Sequence, residues 1–548
     1  MKKMLLFLSF AFFTTSIFSQ EITDKVPSTY NRSSLTVLYV NFGSGNHWNL
    51  AKTKIDSIAF SDKYDNNNLN SLFLDPSFSN GSNLKDAILQ ELNKQSIGRE
   101  IVAKWYNRKP NGAMDMELVH HRGRFTATDA DFLLAQTSKR GNAALEEFGN
   151  RLINLSYILV VNVYDIKSMS EAGVTGQKGW QAQAAGYLYK INFTEEVRSA
   201  FYDTWIYEDD NEEVKAQKRG AFNQIKIPIV PVINKSISIV ASQPESDTGL
   251  GLFFKPKSTN QLMQELIQKS YDDVIYRIEK DVEDFKVKTS ISATRPLRSK
   301  IGLKEGLKTD YRFFAYEYVY NEKTDKAEPK LRGVIRADSK SKIVDNRKVA
   351  SGKTDASKFY QVSGRKLHEG FTLQQQNDFG IEVSLGAEIG EIGGVYGRAD
   401  LRLGRFIGIK SSFVFVEGGF DSGTYPLAQG LSSPSNPDFS FLRYGFGLAK
   451  GFQLMRNLEL RAYLSVGAEQ ASSSDLTGDD AVSAIFVKPG INLALNLKHN
   501  FQVVGGVGSY AFVSDAEDRN DVSYDIAWKD LFTNRTGASM FIGVRVGF

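Results

Sequence analysis

A chain of 548 residues with 67 basic and 63 acidic side chains and no cysteine excludes several classes of protein at once. Its nearly balanced charge gives no electrostatic footprint for a nucleic-acid partner. Without thiols there are no disulfides, cysteine nucleophiles, cysteine-held metals or lipidated cysteine, and the length leaves room for two or three domains.

Residues 1–19 read as an export signal. Lys2 and Lys3 form a basic start, Met4 to Phe13 is an almost unbroken apolar run, and Ser19 ahead of Gln20 suits a leader peptidase. The run is shorter than the roughly 20 residues that cross a bilayer. Its Met-Lys-Lys start, Phe/Leu-rich centre and Ser-Gln cut resemble leaders of the Bacteroidetes. No later stretch is a continuous apolar segment of spanning length. An integral form of this chain would therefore have to be a β-barrel.

Residues 33–285 alternate strand and helix signals, which predicts an α/β or α+β domain. Leu35 to Phe42 and Tyr157 to Tyr164 read as buried strands, and Leu84 to Gln95 as a helix started by Asn83. A helix is expected over 129–155. Gly186 to Phe193 continues the sheet, with Phe201 to Tyr207 expected as its partner strand. Leu262 to Phe285 is a helix with Leu262, Leu266, Ile267, Tyr271, Val274, Ile275, Ile278 and Val282 on one side. This order resembles the periplasmic domains of the CsgG and TolB-N type. The resemblance implies a role in envelope assemblies and envelope protein partners. Residues 286–373 carry short strands with polar turns, which suggests a small SH3-like or OB-like β module.

From Phe379 to Phe548 the texture is that of an eight-stranded antiparallel transmembrane β-barrel. Segments of about ten residues alternate apolar and polar positions: Ile381, Val383 and Leu385 against Glu382 and Ser384, Leu458, Leu460 and Leu464 against Glu459 and Arg461. In the third segment Ile409 and Phe413 are set outward against Lys410 and Ser412, and the seventh, Phe501 to Phe512, is ambiguous. Connections alternate between tight ones (404–408, 453–457, 498–500) and longer polar ones (420–438, 470–480, 514–537), only the first outer one, 391–394, being short. A soluble barrel would reverse the two faces, and period alone does not separate the cases. The strand count and loop rhythm resemble the small OmpA/OmpX-type barrels. That resemblance implies outer-membrane lipid and the barrel-assembly machinery as partners, with Phe548 as a C-terminal assembly signal.

So narrow a barrel is filled by its own side chains. The inward positions are Glu382, Glu388, Arg398, Asp400, Arg402, Lys410, Arg443, Glu459, Arg461, Glu469, Lys488 and Arg545, and such mixed charges should pair with one another. A charged ion path is the alternative. In the last loop Tyr524, Trp528, Leu531 and Phe532 form either an exposed contact patch or part of an aromatic belt.

Signals for chemistry are few. His120 and His121, read as neighbours on a strand, would point to opposite faces and make a poor metal pair. Gly43-Ser-Gly45 lacks the rest of a phosphate loop, and the acidic loops 65–70 and 209–213 lack the spacing of a calcium loop. Trp180 is expected in the core rather than at a ligand surface. No catalytic residue, cofactor or metal is assigned. The composite expectation is a non-enzymatic outer-membrane scaffold or docking protein with periplasmic N-terminal domains. A small-solute or secretion channel, and an envelope enzyme with its site in 33–285, are the alternatives.

Overall fold

The computed structural model describes residues 32–41, 46–70, 72–76, 83–126, 150–245, 256–323, 326–347, 355–425, 437–473, 481–517, 523–533 and 535–548. The export signal, the Gly43-Ser-Gly45 turn and most of the helix expected over 129–155 lie outside these residues.

The N-terminal domain is a mixed sheet between two helical layers. It comprises β1 (Ser34–Val40), α1 (Asn46–Ile55), β2 (Asp65–Asn66), β3 (Phe73–Leu74), α2 (Leu84–Lys94), α3 (Ile97–Trp105), α4 (Glu117–Thr126), β4 (Ser156–Ser168), β5 (Gln177–Ile191), α5 (Glu195–Tyr202), α6 (Glu212–Gln224), β6 (Ile229–Pro244) and α7 (Thr259–Asp281). The strand order is β2-β1-β4-β5-β6, with β3 also on β1. β1 runs parallel to β4, and β4, β5 and β6 form an antiparallel meander. All seven residues of β1 are buried. Its Leu35, Val37 and Tyr39 pack with α1 and α7, while Leu38 and Val40 pack with α2 and α3, so the strand reads as a continuous apolar run. The Asn83 side chain accepts the Asp86 N–H to start α2, and Ser258 with Gln261 forms the capping box of α7.

Two local expectations fail here. Phe201 to Tyr207 is not a strand: Phe201 closes α5, whose Thr194 cap and Glu195-Glu196 first turn outweigh the β preference of the aromatics. The partner of β5 is β6, whose outward face is too polar to show a buried-strand pattern. His120 and His121 lie on helix α4 rather than on a strand.

The middle module is a closed six-stranded barrel of β7 (Lys288–Thr294), β8 (Leu297–Ser299), β9 (Arg312–Asn321), β10 (Lys326–Ala337), β11 (Ser357–Gly364) and β12 (Thr372–Gln375), ordered β10-β11-β8-β7-β12-β9. Val287, Ile291, Phe313, Ala315, Ile335, Phe359 and Leu373 fill it.

The C-terminal domain is a closed barrel of eight long antiparallel strands: β13 (Ile381–Gly390), β14 (Gly394–Arg402), β15 (Ser412–Thr424), β16 (Asp438–Met455), β17 (Leu458–Ser472), β18 (Val482–Asn496), β19 (Phe501–Phe512) and, after a hairpin of β20 (Asp515–Glu517) and β21 (Ser523–Ala527), β22 (Gly537–Gly547). β22 pairs with both β13 and β19 and closes the circle. The one-turn helix α8 (Gly404–Ile407) lies in a tight connection, and α9 (Trp528–Leu531) in the last long one. The barrel is apolar outside: Leu385, Val395, Val416, Phe446, Leu464, Ile491, Val507 and Ile542, one from each strand, are exposed. Its inside carries the charges, and its connections are short at one end and, except for 391–393, long at the other, which is the architecture of outer-membrane barrels.

The third strand departs from the expected register. Phe413 and Phe415 point inward and are 1% exposed, while Val416 is 60% exposed on the outside. Ser411 takes φ +50, and that left-handed residue breaks the alternation carried from Ile409. Lys410 is thereby outside the lumen, bonded to Asp338 of the six-stranded barrel at 3.0 Å. Glycines make room for the inward rings: a Cβ on Gly447 would come within 2.6 Å of the Phe415 ring.

Candidate functional site

The lumen of the eight-stranded barrel is a stack of three charged tiers interleaved with aromatic rings, the middle and outer tiers bridged by Arg443 to Glu388 at 3.5 Å. Nearest the tight turns, Glu382 accepts hydrogen bonds from Arg402 at 2.5 Å and Arg461 at 2.8 Å. Arg461 also holds Glu459 at 3.0 Å and approaches Asp400 at 3.4 Å, and Asp400 takes a forked bond from Arg398. The guanidinium of Arg461 lies 3.7 Å from the Phe413 ring centre, and that of Arg398 lies 3.4 Å from Phe415. The inward turn of β15 thus supplies the rings on which these cations stack. Arg545 donates to Ser384 and Gln502.

In the middle tier Lys488 donates to Glu388 at 2.6 Å and to the Tyr510 hydroxyl at 2.8 Å, and Tyr510 donates on to Glu388 at 2.9 Å. Glu417 accepts from Ser465 at 2.6 Å and from the Tyr396 hydroxyl. In the outer tier Glu469 is fully buried and takes bonds from Arg535 at 2.5 Å, Trp528 Nε1 at 3.0 Å and Arg443 at 3.2 Å. Asp421 ties the same two arginines together at 2.9 Å each. Most of these charged groups are paired with a partner of opposite sign, as burial demands.

Of the inward positions predicted from periodicity, Glu382, Glu388, Arg398, Asp400, Arg402, Arg443, Glu459, Arg461, Glu469, Lys488 and Arg545 lie inside, and Lys410 alone stands outside. Glu417, Asp421 and Arg535 join the network and were not foreseen. Glu417 lies beyond the break in β15, Asp421 falls in a stretch read as loop, and Arg535 sits in the last long connection, where no period operates.

That last connection folds inward. Trp528 and Phe532 are buried against Phe439 and Phe441, with Leu531 packed alongside. They form a lid over the mouth of the barrel, neither an exposed patch nor a lipid-facing belt. Their rings shield Glu469 and Arg535, which explains why an apolar cluster occurs in a polar loop. The side chain of Tyr524, residues 426–436 and residues 474–480 lie outside the described residues.

At the opposite end the six-stranded barrel docks against the tight turns. Asp310, fully buried, accepts the Ser411 N–H at 2.9 Å and the Tyr360 hydroxyl at 2.7 Å, with Arg402 at 3.7 Å. Asp378 pairs with Arg336 and, at 3.4 Å, with Arg405. Burial alone would raise the Asp378 carboxyl, but the charges of Arg336 and Arg312 outweigh it and hold it well below the usual carboxylate range. Lys340 N donates to Gly408 O, and Gly364 N to the Asn457 side chain. Phe548 is paired through its backbone to Ile381 and Phe379, with its ring exposed.

The remaining candidates are ordinary. Trp180 is buried and donates to Thr259 O, and His47 sits on the surface against Glu171. Among the described residues no group of three or more His, Asp or Glu converges to hold a metal.

No family model matches the sequence, and no curated protein matches it significantly. Several solved structures are similar over the C-terminal barrel. A major outer membrane protein from Thermus thermophilus is 13% identical over 31% of this chain and 99% of its own, with a TM-score of 0.23. Ail, the attachment invasion locus protein of Yersinia pestis, is 11% identical over 30% of this chain and 95% of its own, with a TM-score of 0.19. The N-terminal β-barrel domain of Pseudomonas aeruginosa OprF is 11% identical over 32% of this chain and 100% of its own, with a TM-score of 0.20.

Proposed function

We propose that this protein is a non-conducting outer-membrane anchor that holds a six-stranded barrel and an α/β docking domain on the periplasmic side. The observation that carries the reading is the barrel's inversion: apolar outside on all eight strands, and filled inside by tiers of paired charges. An apolar exterior is stable only against lipid. Among the described residues, Trp528 and Phe532 cover one mouth of the lumen and the docked six-stranded barrel covers the other, which supports a closed bore. Tight turns face the periplasm in barrels of this kind, and the two N-terminal domains stand on the tight-turn side. The role proposed is docking rather than turnover: the polar pairs of the α/β domain, such as His47 with Glu171 and Lys190 with Asp284, are partly exposed ion pairs on its surface. Envelope proteins are the partners this arrangement suits.

Reconstitution of the full chain into planar bilayers tests the anchor reading. Electrical silence across ±100 mV, on the order of the potentials membranes sustain, is the expected result. Stable unitary steps would replace it with the channel reading. Protease added to whole cells should spare residues 32–373 until the outer membrane is permeabilised. Immediate cleavage there would place these domains outside.

A further inference from the structure

Between the floor of the eight-stranded barrel and the six-stranded barrel lies a small cleft, partly open to solvent. Its walls carry four guanidinium groups, Arg312, Arg336, Arg402 and Arg545, and three side-chain carboxylates, Asp378, Glu382 and Glu459, with His499 and the last residue, Phe548, also in the lining. Those carboxylates are already committed. Glu382 is held by Arg402 and Arg461, Glu459 by Arg461, and Asp378 by Arg336 and Arg405.

Arg545 is the most loosely paired of these cations. It is 1% exposed, and its Nε and Nη1 donate only to the neutral oxygens of Ser384, at 3.0 Å, and Gln502, at 3.1 Å. The closest carboxylate oxygens, on Glu459 and Glu382, stand 3.9 and 4.0 Å away, too far for a hydrogen bond. Its Nη2 is buried without an acceptor, as are Nε of Arg402 and Nε of Arg312 on the facing module. A buried guanidinium with neutral partners and an orphaned donor is costly. Water could satisfy the donors but would add no negative charge among the clustered guanidinium groups.

We propose that this cleft is a binding site for a phosphate-class oxyanion, with Arg545 its principal donor from the lumen side and Arg312 its donor from the six-stranded barrel. A tetrahedral oxyanion offers several acceptor oxygens to several guanidinium forks at once and adds negative charge among them. Two sources share this chemistry. One is free phosphate, entering by the open mouth. The other is the phosphate of a lipid headgroup, because the cleft lies at the tight-turn end where the apolar belt stops.

The test uses the full chain in uncharged detergent and phosphate-free buffer. Inorganic phosphate and, separately, short-chain phosphatidic acid are titrated by calorimetry and by thermal unfolding. At least one probe is expected to bind and to raise Tm in a concentration-dependent way. Arg545→Gln should weaken that binding by about tenfold or more, a loss typical of a charge-assisted hydrogen bond. Arg312→Gln, a half-buried position on the other module, should weaken it too and serves if Arg545→Gln does not assemble. Arg347→Gln, exposed and paired with Asp345, should bind as the wild type does. Response to phosphate assigns the free ion, and response to the lipid alone assigns a headgroup. Failure of both probes, or wild-type binding by the Arg545 and Arg312 variants, would overturn the proposal whatever the bilayer recordings show.

Discussion

Glu469 anchors the outer tier of the lumen, because three donors from two separate segments, β16 and the last connection, converge on its one carboxylate. Replacing it with Gln leaves Arg443 and Arg535 facing each other across Asp421 alone. Breaking a buried pair in this way costs about 3 kcal/mol. The expected readout for Glu469→Gln is a lower urea midpoint, with tryptophan fluorescence reporting exposure of Trp528. A variant as stable as the wild type would show that the tier is not held by this residue. Asp378 makes a prediction in pH. Its folded carboxyl titrates below its unfolded value of about 3.9, because the charges of Arg336 and Arg312 outweigh its burial. Its stabilisation is therefore fully present above about pH 4 and drains away as the pH falls toward the folded value. Asp378→Asn should remove that acid-dependent part, and unfolding followed from pH 6 to pH 3 will reveal it as a flatter profile.

At the scale of elements, β15 is the most instructive strand. Periodicity carried through from Ile409 sets Phe413 outward, and the chain does the opposite because Ser411 adopts a left-handed conformation to reach Asp310. That local break supplies the Phe413 and Phe415 rings that stack on Arg461 and Arg398. Val416→Arg places a charge on the lipid face and should cost about 2–4 kcal/mol in refolding into vesicles, with Val416→Leu near neutral. Phe415→Ala should cost about 3 kcal/mol or more through the cavity it opens. Near-neutrality of Val416→Arg together with tolerance of Phe415→Ala would return the strand to the other register. The remaining barrel strands were legible because one face is wholly apolar and the other carries charge, a contrast with period two that survives without tertiary information. In the α/β domain β1 and β4 were legible as unbroken apolar runs. β6 was not, because an edge strand with Ser236 and Ser238 on its open side resembles a loop.

At the scale of the whole molecule, the three domains are joined by polar contacts that no segment announces. Asp310 and Ser411 lie 101 residues apart, and the bond between them fixes the six-stranded barrel to the membrane domain. Asp310→Ala takes the Asp310 acceptor from the Ser411 N–H and the Tyr360 hydroxyl and removes the negative charge beside Arg402. It should loosen the docking, seen as faster protease cleavage near 376–380 with the barrel itself still intact by heat-modified gel mobility. Unchanged cleavage would place the strength of the junction elsewhere. What the sequence determined by itself was the division into three textures, the strand count of the final barrel and which face of most strands is charged. All of these follow from residue type and short-range period. The tertiary structure alone decided which charges pair, that the last connection turns its aromatics inward over Arg535, and that an arginine-lined cleft remains between the barrels. Those features arise where residues distant in sequence converge, and burial there raises the cost of an unpaired charge far above anything a local pattern encodes.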